Sequence, residues 1–376
     1  MKIYYIANAR MPTEKAHGIQ LAKMCEAFVA AGADLELVLP NRKNTEKSIE
    51  EFYGLKHKIP VRKLSVIDVY KLGRIGFLVG SASFMVAGFL YLLRKRISGE
   101  KMTLYTIDMD NFSYLWLPLL CTPFFVELHN IKTRNFRNNF LLKRARGVIA
   151  INNIIREKLI KYFGLSPEKI IVHPNGIDLE KYISLPSRDE ARKTLNLPLN
   201  RKIALYAGRF YDWKGLGVLS AASFKKSTLF YLVGGTKEEL EKIISKKIPD
   251  GVICAGACGY DQIPIWLAAA DLLVIIGTKN NPYSYYHTSP MKLFEYMAAR
   301  RPILAAKTPA IRQIVSDEEA SFYAPDDPGD LSSMIETVIA DSNTAEVKVQ
   351  KAHEKMQKFS WDNRASDIIR FVKSNI

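Results

Sequence analysis

From one end to the other, the chain alternates between short runs of β-branched and aromatic residues and longer stretches whose apolar residues recur at helical spacing. Runs at 3–7, 35–39, 104–106, 124–128 and 147–151 have the composition of strands, and segments such as 19–30 and 154–163 lie between them as helices. Short apolar strands joined through helices predict a parallel sheet with helices on its faces. A second series of the same kind follows, with strands at 203–207, 229–233, 252–254, 272–276 and 303–305. Two α/β domains in succession are therefore expected. The length of 376 residues agrees, because a single hydrophobic core usually divides beyond about 250–300 residues. Pro186 and Pro198 bracket a charged stretch, so the boundary is placed there, with a first domain at 1–185 and a second at 186–358. The remaining segment, 359–376, is helical in pattern, and Phe359, Trp361 and Phe371 are its candidate anchors for packing back on the first domain.

The formal net charge is +16, and it is unevenly placed: residues 1–175 hold 27 Lys and Arg against 14 Asp and Glu, whereas the rest hold 27 against 24. A basic first half can attract nucleic acid, an anionic membrane or an anionic substrate, and charge alone does not choose among them. The stretch 75–93 carries no charged residue and is bracketed by Arg74 and by Arg94, Lys95 and Arg96. It is about long enough to span a bilayer, yet it contains Gly76, Gly80 and Gly88 and falls where an α/β domain needs a crossover helix. Three arrangements fit: a buried crossover, a helix lying in the membrane interface, and a span. The four cysteines, Cys25, Cys121, Cys254 and Cys258, have no partner set completing a zinc site and read as reduced thiols. The N-terminal apolar run is too short for a secretion signal. A cytoplasmic protein, peripheral on the cytoplasmic face of the membrane if its basic half meets lipid, is the expectation.

Candidate chemistry concentrates in the second half. The strand at 203–207 runs into Gly208 and Arg209, followed by Lys214 and Gly215 at the start of a helical pattern. Cations at the carboxyl edge of a parallel sheet, beside a helix N-terminus, suit a diphosphate. The loop Tyr283 to Thr288 leads through Ser289 and Pro290 into a helix carrying Lys292 and Glu295. Proline suits the first helical turn, so the amides of Met291 and Lys292 point toward an anion, and Glu295 one turn on can accept hydrogen bonds from a ribose diol. In the first half, Gly18 opens the helix after the first strand, where a glycine lets a phosphate or sugar approach the backbone. His129 ends the strand at 124–128, two residues after Glu127.

Taken in order, these pieces resemble family 4 of the retaining GT-B glycosyltransferases. The matching segments are Gly18, His129, H-P-N-G-I-D at 173–178, Y-A-G-R-F and K-G within 206–215, L-V-G-G at 232–235, and S-P-M-K-L-F-E-Y-M-A at 289–298. The resemblance implies two Rossmann-like β/α/β domains facing each other across a cleft, the second holding a nucleotide-sugar donor and the first the acceptor. It implies that Arg209 and Lys214 neutralise the donor diphosphate, so that no metal or other cofactor is needed. Asp108 and Asp110 have D-x-D spacing but lie in the acceptor half. Glu295 corresponds to the second glutamate of the family's E-x7-E motif and would hold the ribose, His129 would face the transferred sugar, and Gly18 would sit near the phosphate. Gly18, Arg209, Lys214, His287, Thr288, Ser289, Met291, Lys292 and Glu295 are thus the expected donor contacts, and His129, Arg209, Lys214 and Glu295 the catalytic group.

One departure stands out. Where the first glutamate of E-x7-E is expected, this chain has His287, so either His287 or the backbone of residues 288–291 takes over its contact with the sugar. The expected activity is transfer of a hexose-type sugar from a UDP or GDP donor to a membrane-associated glycan or lipid, or to a polysaccharide, with retention of configuration. The alternatives are a nucleotide-sugar epimerase, which usually needs acidic groups near the sugar, and a non-catalytic partner protein of the same fold. Nucleic acid is not expected as a partner, since no recognition motif for it is present.

Overall fold

The computed structural model describes residues 2–13, 15–42, 47–69, 72–107, 114–288 and 291–376. It divides into two compact units, Met1–Asn175 with Trp361–Ile376, and Gly176–Ser360. Each is built on one parallel sheet.

In the first unit the strands are β1 (Lys2–Ile6), β2 (Asp34–Asn41), β3 (Val61–Ser65), β4 (Met102–Ile107), β5 (Phe124–Leu128), β6 (Gly147–Ala150) and β7 (Ile170–Val172), in the order β3-β2-β1-β4-β5-β6-β7. The second contains β8 (Lys202–Ala207), β9 (Thr228–Val233), β10 (Val252–Cys254), β11 (Leu272–Ile275), β12 (Ile303–Ala306) and β13 (Ser321–Tyr323), in the order β10-β9-β8-β11-β12-β13. Strand order reverses between β1 and β4 and between β8 and β11, and crevices of open α/β sheets form at such switch points, beyond the carboxyl ends of the strands. Three strands had no counterpart in the sequence reading. β3 is a largely exposed edge strand, and β7 and β13 have three residues each, too few for a periodic signal.

Side-chain alternation explains why both faces of the second sheet are covered. Ile203, Leu205, Leu273, Ile275, Ile303 and Ala305 enter one apolar layer, while Ala204, Tyr206, Leu272, Val274, Leu304 and Ala306 enter the other. Successive strand residues point to opposite faces, so a strand apolar at every position requires helices above and below.

The boundaries differ from those read in the sequence. Residues 176–185 belong to the second unit rather than the first: Ile177 pairs with Ser360, its amide donates to Phe359 O at 2.9 Å, and Ile177 and Tyr182 are buried in that unit's core. Phe359 also stays there, against Phe294 with ring centroids 4.9 Å apart. The helix Trp361–Ser374 is part of the first unit, where Phe371 meets Phe125 edge-on. Gly147 makes room for it, because a Cβ at that position would lie 2.7 Å from Phe371 Cζ.

The same helix inserts a charge. Arg364 and Glu127 are both fully buried, and Arg364 Nη2 donates to Glu127 Oε1 at 2.9 Å. Gln20 Nε2 donates to the same oxygen at 3.0 Å, and Tyr105 Oη donates to Oε2 at 2.5 Å. Burial alone would raise the Glu127 carboxyl, but the Arg364 guanidinium, together with His129 and Tyr105, outweighs it and holds the group well below the usual carboxylate range.

The stretch 75–93 lies within one helix, Gly73–Ile97, which crosses over from β3 to β4. It buries a stripe of Gly76, Gly80, Ser81, Phe84, Gly88 and Leu92, packs Met85, Ala87, Phe89, Tyr91 and Leu93 partly against the same core, and leaves the opposite side open. The buried-crossover expectation therefore holds for one face alone.

Replacing Arg364 by Met would strand a buried carboxylate, and breaking a buried pair in this way costs about 3–5 kcal/mol. Chemical denaturation of the full chain should record that loss. Arg370→Met, at a largely exposed position of the same helix, should stay within about 0.5 kcal/mol of the parent.

Candidate functional site

In the second unit the site is assembled around the carboxyl end of β8. Gly208, with φ of +144°, and Gly234, with φ of +130°, let the ends of β8 and β9 approach closely: a Cβ on Gly234 would lie 2.5 Å from the Gly208 carbonyl carbon. After exposed Arg209, the chain makes a short 3-10 turn at Asp212–Lys214, passes Gly215 at φ +81°, and continues as another 3-10 segment, Leu216–Ala221. The α-helical start expected at Gly215 is therefore replaced by 3-10 turns. Gly215 packs against Thr278, just beyond β11, where a Cβ would lie 2.6 Å from the threonine Cβ. This seals the loop across the switch point.

Two ammonium groups converge on Gly208. A Cβ added there would lie 2.6 Å from Lys292 Nζ and 3.6 Å from Lys214 Nζ. Lys214 Nζ donates to Arg209 O at 2.8 Å and lies 5.0 Å and 5.5 Å from the ring centres of Tyr211 and Trp213. Lys292 Nζ sits 3.7 Å over the Tyr206 ring. Its helix, Met291–Ala298, is clamped to the strand end by the Ala207 amide, which donates to Tyr296 Oη at 2.8 Å, and by Leu293, Phe294 and Met297 in the core.

The electrostatics follow from this crowding. Burial and then repulsion from Arg209 lower the Lys214 ammonium to about 8. Burial and then repulsion from Lys214 push Lys292 well below its ordinary value, against the pull of Glu295. Glu295 is three residues on, on the same helical face, and is 7% exposed. Burial raises its carboxyl, opposed by a hydrogen bond from Tyr260 and by the charges of Lys292 and Lys181. Lys181 Nζ lies 4.3 Å over the Tyr260 ring. A cluster of cations around a strand end, with a buried carboxylate one turn further, can receive an anion at one end and hydroxyl donors at the other.

The other expected donor residues are placed as follows. His287 closes a single π-helical turn, Tyr283–His287, a geometry that often marks functional sites. That turn meets the lysine loop through Tyr283 and Trp213, whose ring centroids are 4.9 Å apart. His287, Thr288 and Met291 are half-buried. Ser289 and Pro290 lie outside the described residues, as do Asp108 and Asp110. Among the described residues, no group of three or more His, Cys, Asp and Glu side chains is arranged to hold a metal ion.

In the first unit, His129 follows β5, and its Nε2 is 2.6 Å from Glu127 Oε1. The carboxylate fixed by Arg364 thus orients the imidazole. Gly18 is accounted for by packing: a side chain there would strike the Tyr53 hydroxyl and Thr13, and its amide already donates to Lys15 O at 2.9 Å. Lys181, Tyr260, Trp213 and Arg364 were absent from the sequence reading. Signals did stand close to three of them: H-P-N-G-I-D ends three residues before Lys181, Trp213 precedes Lys214, and Arg364 follows the anchor Trp361 by three residues.

Residues 18–181 match the family described as Glycosyltransferase Family 4, and residues 201–341 match that described as Glycosyl transferases group 1. The chain is 25% identical over 229 residues to D-inositol 3-phosphate glycosyltransferase of Streptomyces bingchenggensis, covering 56% of this chain and 49% of that protein. It is 27% identical over 232 residues to lipopolysaccharide 1,2-N-acetylglucosaminetransferase of Salmonella typhimurium, covering 56% of this chain and 59% of that one. The chain spans about half the length of the curated relatives it matches. Its fold is similar to that of Anabaena HepE in complex with UDP and glucose, with a TM-score of 0.72, 20% identity and coverage of 100% of both chains. With one model over each parallel sheet, the chain belongs to the family 4, group 1 glycosyltransferases of the two-domain, Rossmann-like GT-B fold.

Proposed function

We propose that this protein is a retaining, metal-independent glycosyltransferase that moves a hexose-type sugar from a UDP or GDP donor to a membrane-associated glycan or lipid, or to a polysaccharide. The observation that carries the reading is the convergence of Lys214 and Lys292 on Gly208, with Arg209 adjacent, at the switch point of the second sheet. Cations pressed together against their own repulsion gain most from a bound group with two or more negative charges, and a diphosphate is such a group.

In the proposed reaction the bond between the anomeric carbon and the diphosphate oxygen breaks as the acceptor hydroxyl attacks from the same face. The hydroxyl proton passes to the leaving phosphate, so no side chain has to act as a nucleophile. Arg209, Lys214 and Lys292 stabilise the charge that develops on the departing diphosphate, the role a divalent cation would otherwise fill. Glu295, held by Tyr260, accepts from the ribose diol; His287 takes the place of the family's first glutamate toward the donor sugar. His129, oriented by Glu127, steadies the transferred sugar. The Anabaena relative's complex with UDP and glucose and the Salmonella relative's lipopolysaccharide acceptor supply the donor and acceptor classes of this proposal.

The deciding experiment is thermal unfolding with UDP, GDP, ADP and their sugar conjugates, with and without EDTA. One nucleotide family should raise the transition, by about 2.7 kcal/mol of stabilisation at a hundredfold excess over Kd, and EDTA should not change it. Well-folded protein indifferent to every nucleotide would sink the reading, and a shift abolished by EDTA would sink its metal independence.

Lys214→Ala should weaken donor binding and lower kcat about 10²–10³-fold. In the parent protein a diphosphate should pull the lowered Lys214 ammonium back up, so that binding takes up a proton. Affinity should therefore hold below pH 8 and fall as pH rises through about 8. Calorimetry in buffers of different ionisation enthalpy measures that proton directly. Separately, His287→Glu should alter the ratio of kcat/KM values among donor sugars while leaving the melting temperature unchanged; an unaltered ratio would remove His287 from sugar selection.

A further inference from the structure

The helix Gly73–Ile97 presents to solvent what a water-facing helix ordinarily avoids. Leu72, Ile75, Leu78, Val79, Val86, Leu90 and Ile97 are all exposed, from 37% at Val79 to 76% at Ile97. At 100° per residue they fall within an arc of about 120° on the side opposite the buried stripe centred on Phe84, while Phe77, 40% exposed near the start of the helix, lies outside that arc. No charge interrupts the helix between Arg74 and Arg94. The cations gather at its two ends: Arg74 and, in the last turn, Arg94, Lys95 and Arg96. Beside it, the edge strand β3 exposes Val61, Arg62 and Lys63, and Ile67 follows it, 57% exposed.

The helix cannot leave its sheet to cross a bilayer. Phe84 and Leu92 are part of the first unit's core, and Gly88 lies against Trp116, where a Cβ would come within 3.2 Å of the indole. A third of its most apolar window is buried in the protein. It therefore lies flat against the unit, with its apolar stripe directed outward along its whole length. A partner must offer apolar material over a run of about 28 Å and negative charge at both ends. A second copy of the chain fits poorly, because either antiparallel or parallel pairing of the stripes would bring cations against cations. An anionic lipid surface supplies acyl chains beneath the stripe and phosphates at the rim.

We propose that the Gly73–Ile97 helix, with the exposed cations at its ends and on β3, is an in-plane docking surface for anionic lipid. It deepens the membrane-associated acceptor proposed above and rests on that reading for its biological purpose; the binding itself is measured without turnover, so the two fail separately. The stripe enters the boundary between headgroups and acyl chains while the buried face stays on the sheet. The guanidinium groups contact phosphates at the level of the interface.

The experiment is co-sedimentation of the purified full chain with vesicles of phosphatidylglycerol and phosphatidylcholine, compared with phosphatidylcholine alone. The parent protein should bind the anionic vesicles. The triple variant Leu78→Gln, Val86→Gln and Leu90→Gln, at exposed positions, should keep its melting temperature and lose binding by at least about a hundredfold. Arg94→Gln with Arg96→Gln should weaken it by roughly tenfold or more, at about fivefold per cation. Any of these results overturns the proposal: no binding by folded parent protein; equal binding to both vesicle types; binding unaffected by the triple variant; or a concentration-dependent dimer abolished by it, which would make a second copy the occupant. Retention of the parent protein in alkaline-washed membranes, as a spanning helix would give, overturns it as well.

Discussion

A parallel sheet whose strands are apolar at every position cannot leave either face in water, and that single constraint organises both units. In the second unit it consigns alternate residues of β8, β11 and β12 to two separate apolar layers. Helices must then close both faces, and functional side chains are left the loops at the strand ends. Where strand order reverses between β8 and β11, neighbouring connections depart to opposite faces, and the space they vacate is open to a ligand. Arg209, Lys214, Lys292 and Glu295 all take their positions from that space. Tyr296, hydrogen-bonded to the last amide of β8, registers the helix bearing Lys292 and Glu295 against the strand end.

The interior charges separate into two kinds, and the contrast assigns roles. Glu127 has a full complement: Arg364 addresses both oxygens, Gln20 and His129 address Oε1 and Tyr105 addresses Oε2. Such a carboxylate is satisfied within the fold, and its effect is to hold the helix Trp361–Ser374 and to fix the His129 ring. Lys214 and Lys292 are differently situated. Lys214 meets a backbone carbonyl and two aromatic faces, and Lys292 the Tyr206 ring and the pull of Glu295; burial first, then Arg209 at Lys214 and Lys214 at Lys292, lowers their affinity for a proton. Tyr206, Tyr211 and Trp213 supply weak attraction, on the order of 0.5–2 kcal/mol each, well short of what an ion pair with a bidentate anion would add.

Much of this was legible from local pattern. The ten strands read from the sequence lie at or within a residue of strands in the structure, and Gly208, Arg209, Lys214, Lys292 and Glu295 do gather in one place. What escaped depends on contacts distant in sequence. Arg364 meets Glu127 across 237 positions; its place on the apolar face of its helix, between Trp361 and Ile368, lies in the local spacing, but the carboxylate it meets leaves no trace there. Tyr260 and Lys181 become part of the Glu295 environment through tertiary packing alone. The boundary was misjudged because prolines at 186 and 198 are conspicuous turn signals, while the pairing of Ile177 with Ser360 leaves no local trace. Gly18 was read as an opening for a ligand, and packing makes its own demand for the glycine, because Thr13 and Tyr53 fill the space a side chain would take.

The excess of positive charge in residues 1–175 acts differently from the cations of the second unit, although both are drawn from the same composition. Arg74, Arg94 and Arg96 are exposed, so their attraction decays over a Debye length of about 8 Å at physiological salt, and they act only once a surface is already near. Lys214 and Lys292, half-buried and crowded, are screened far less and keep their preference for an anion at ionic strengths that silence the surface. Salt should thus separate the two proposed interactions, loosening lipid attachment through the helix ends while leaving anion binding at the strand end largely intact. The apolar stripe between Arg74 and Arg94 makes the first of these interactions more than a diffuse field, because apolar burial does not weaken as ions are added.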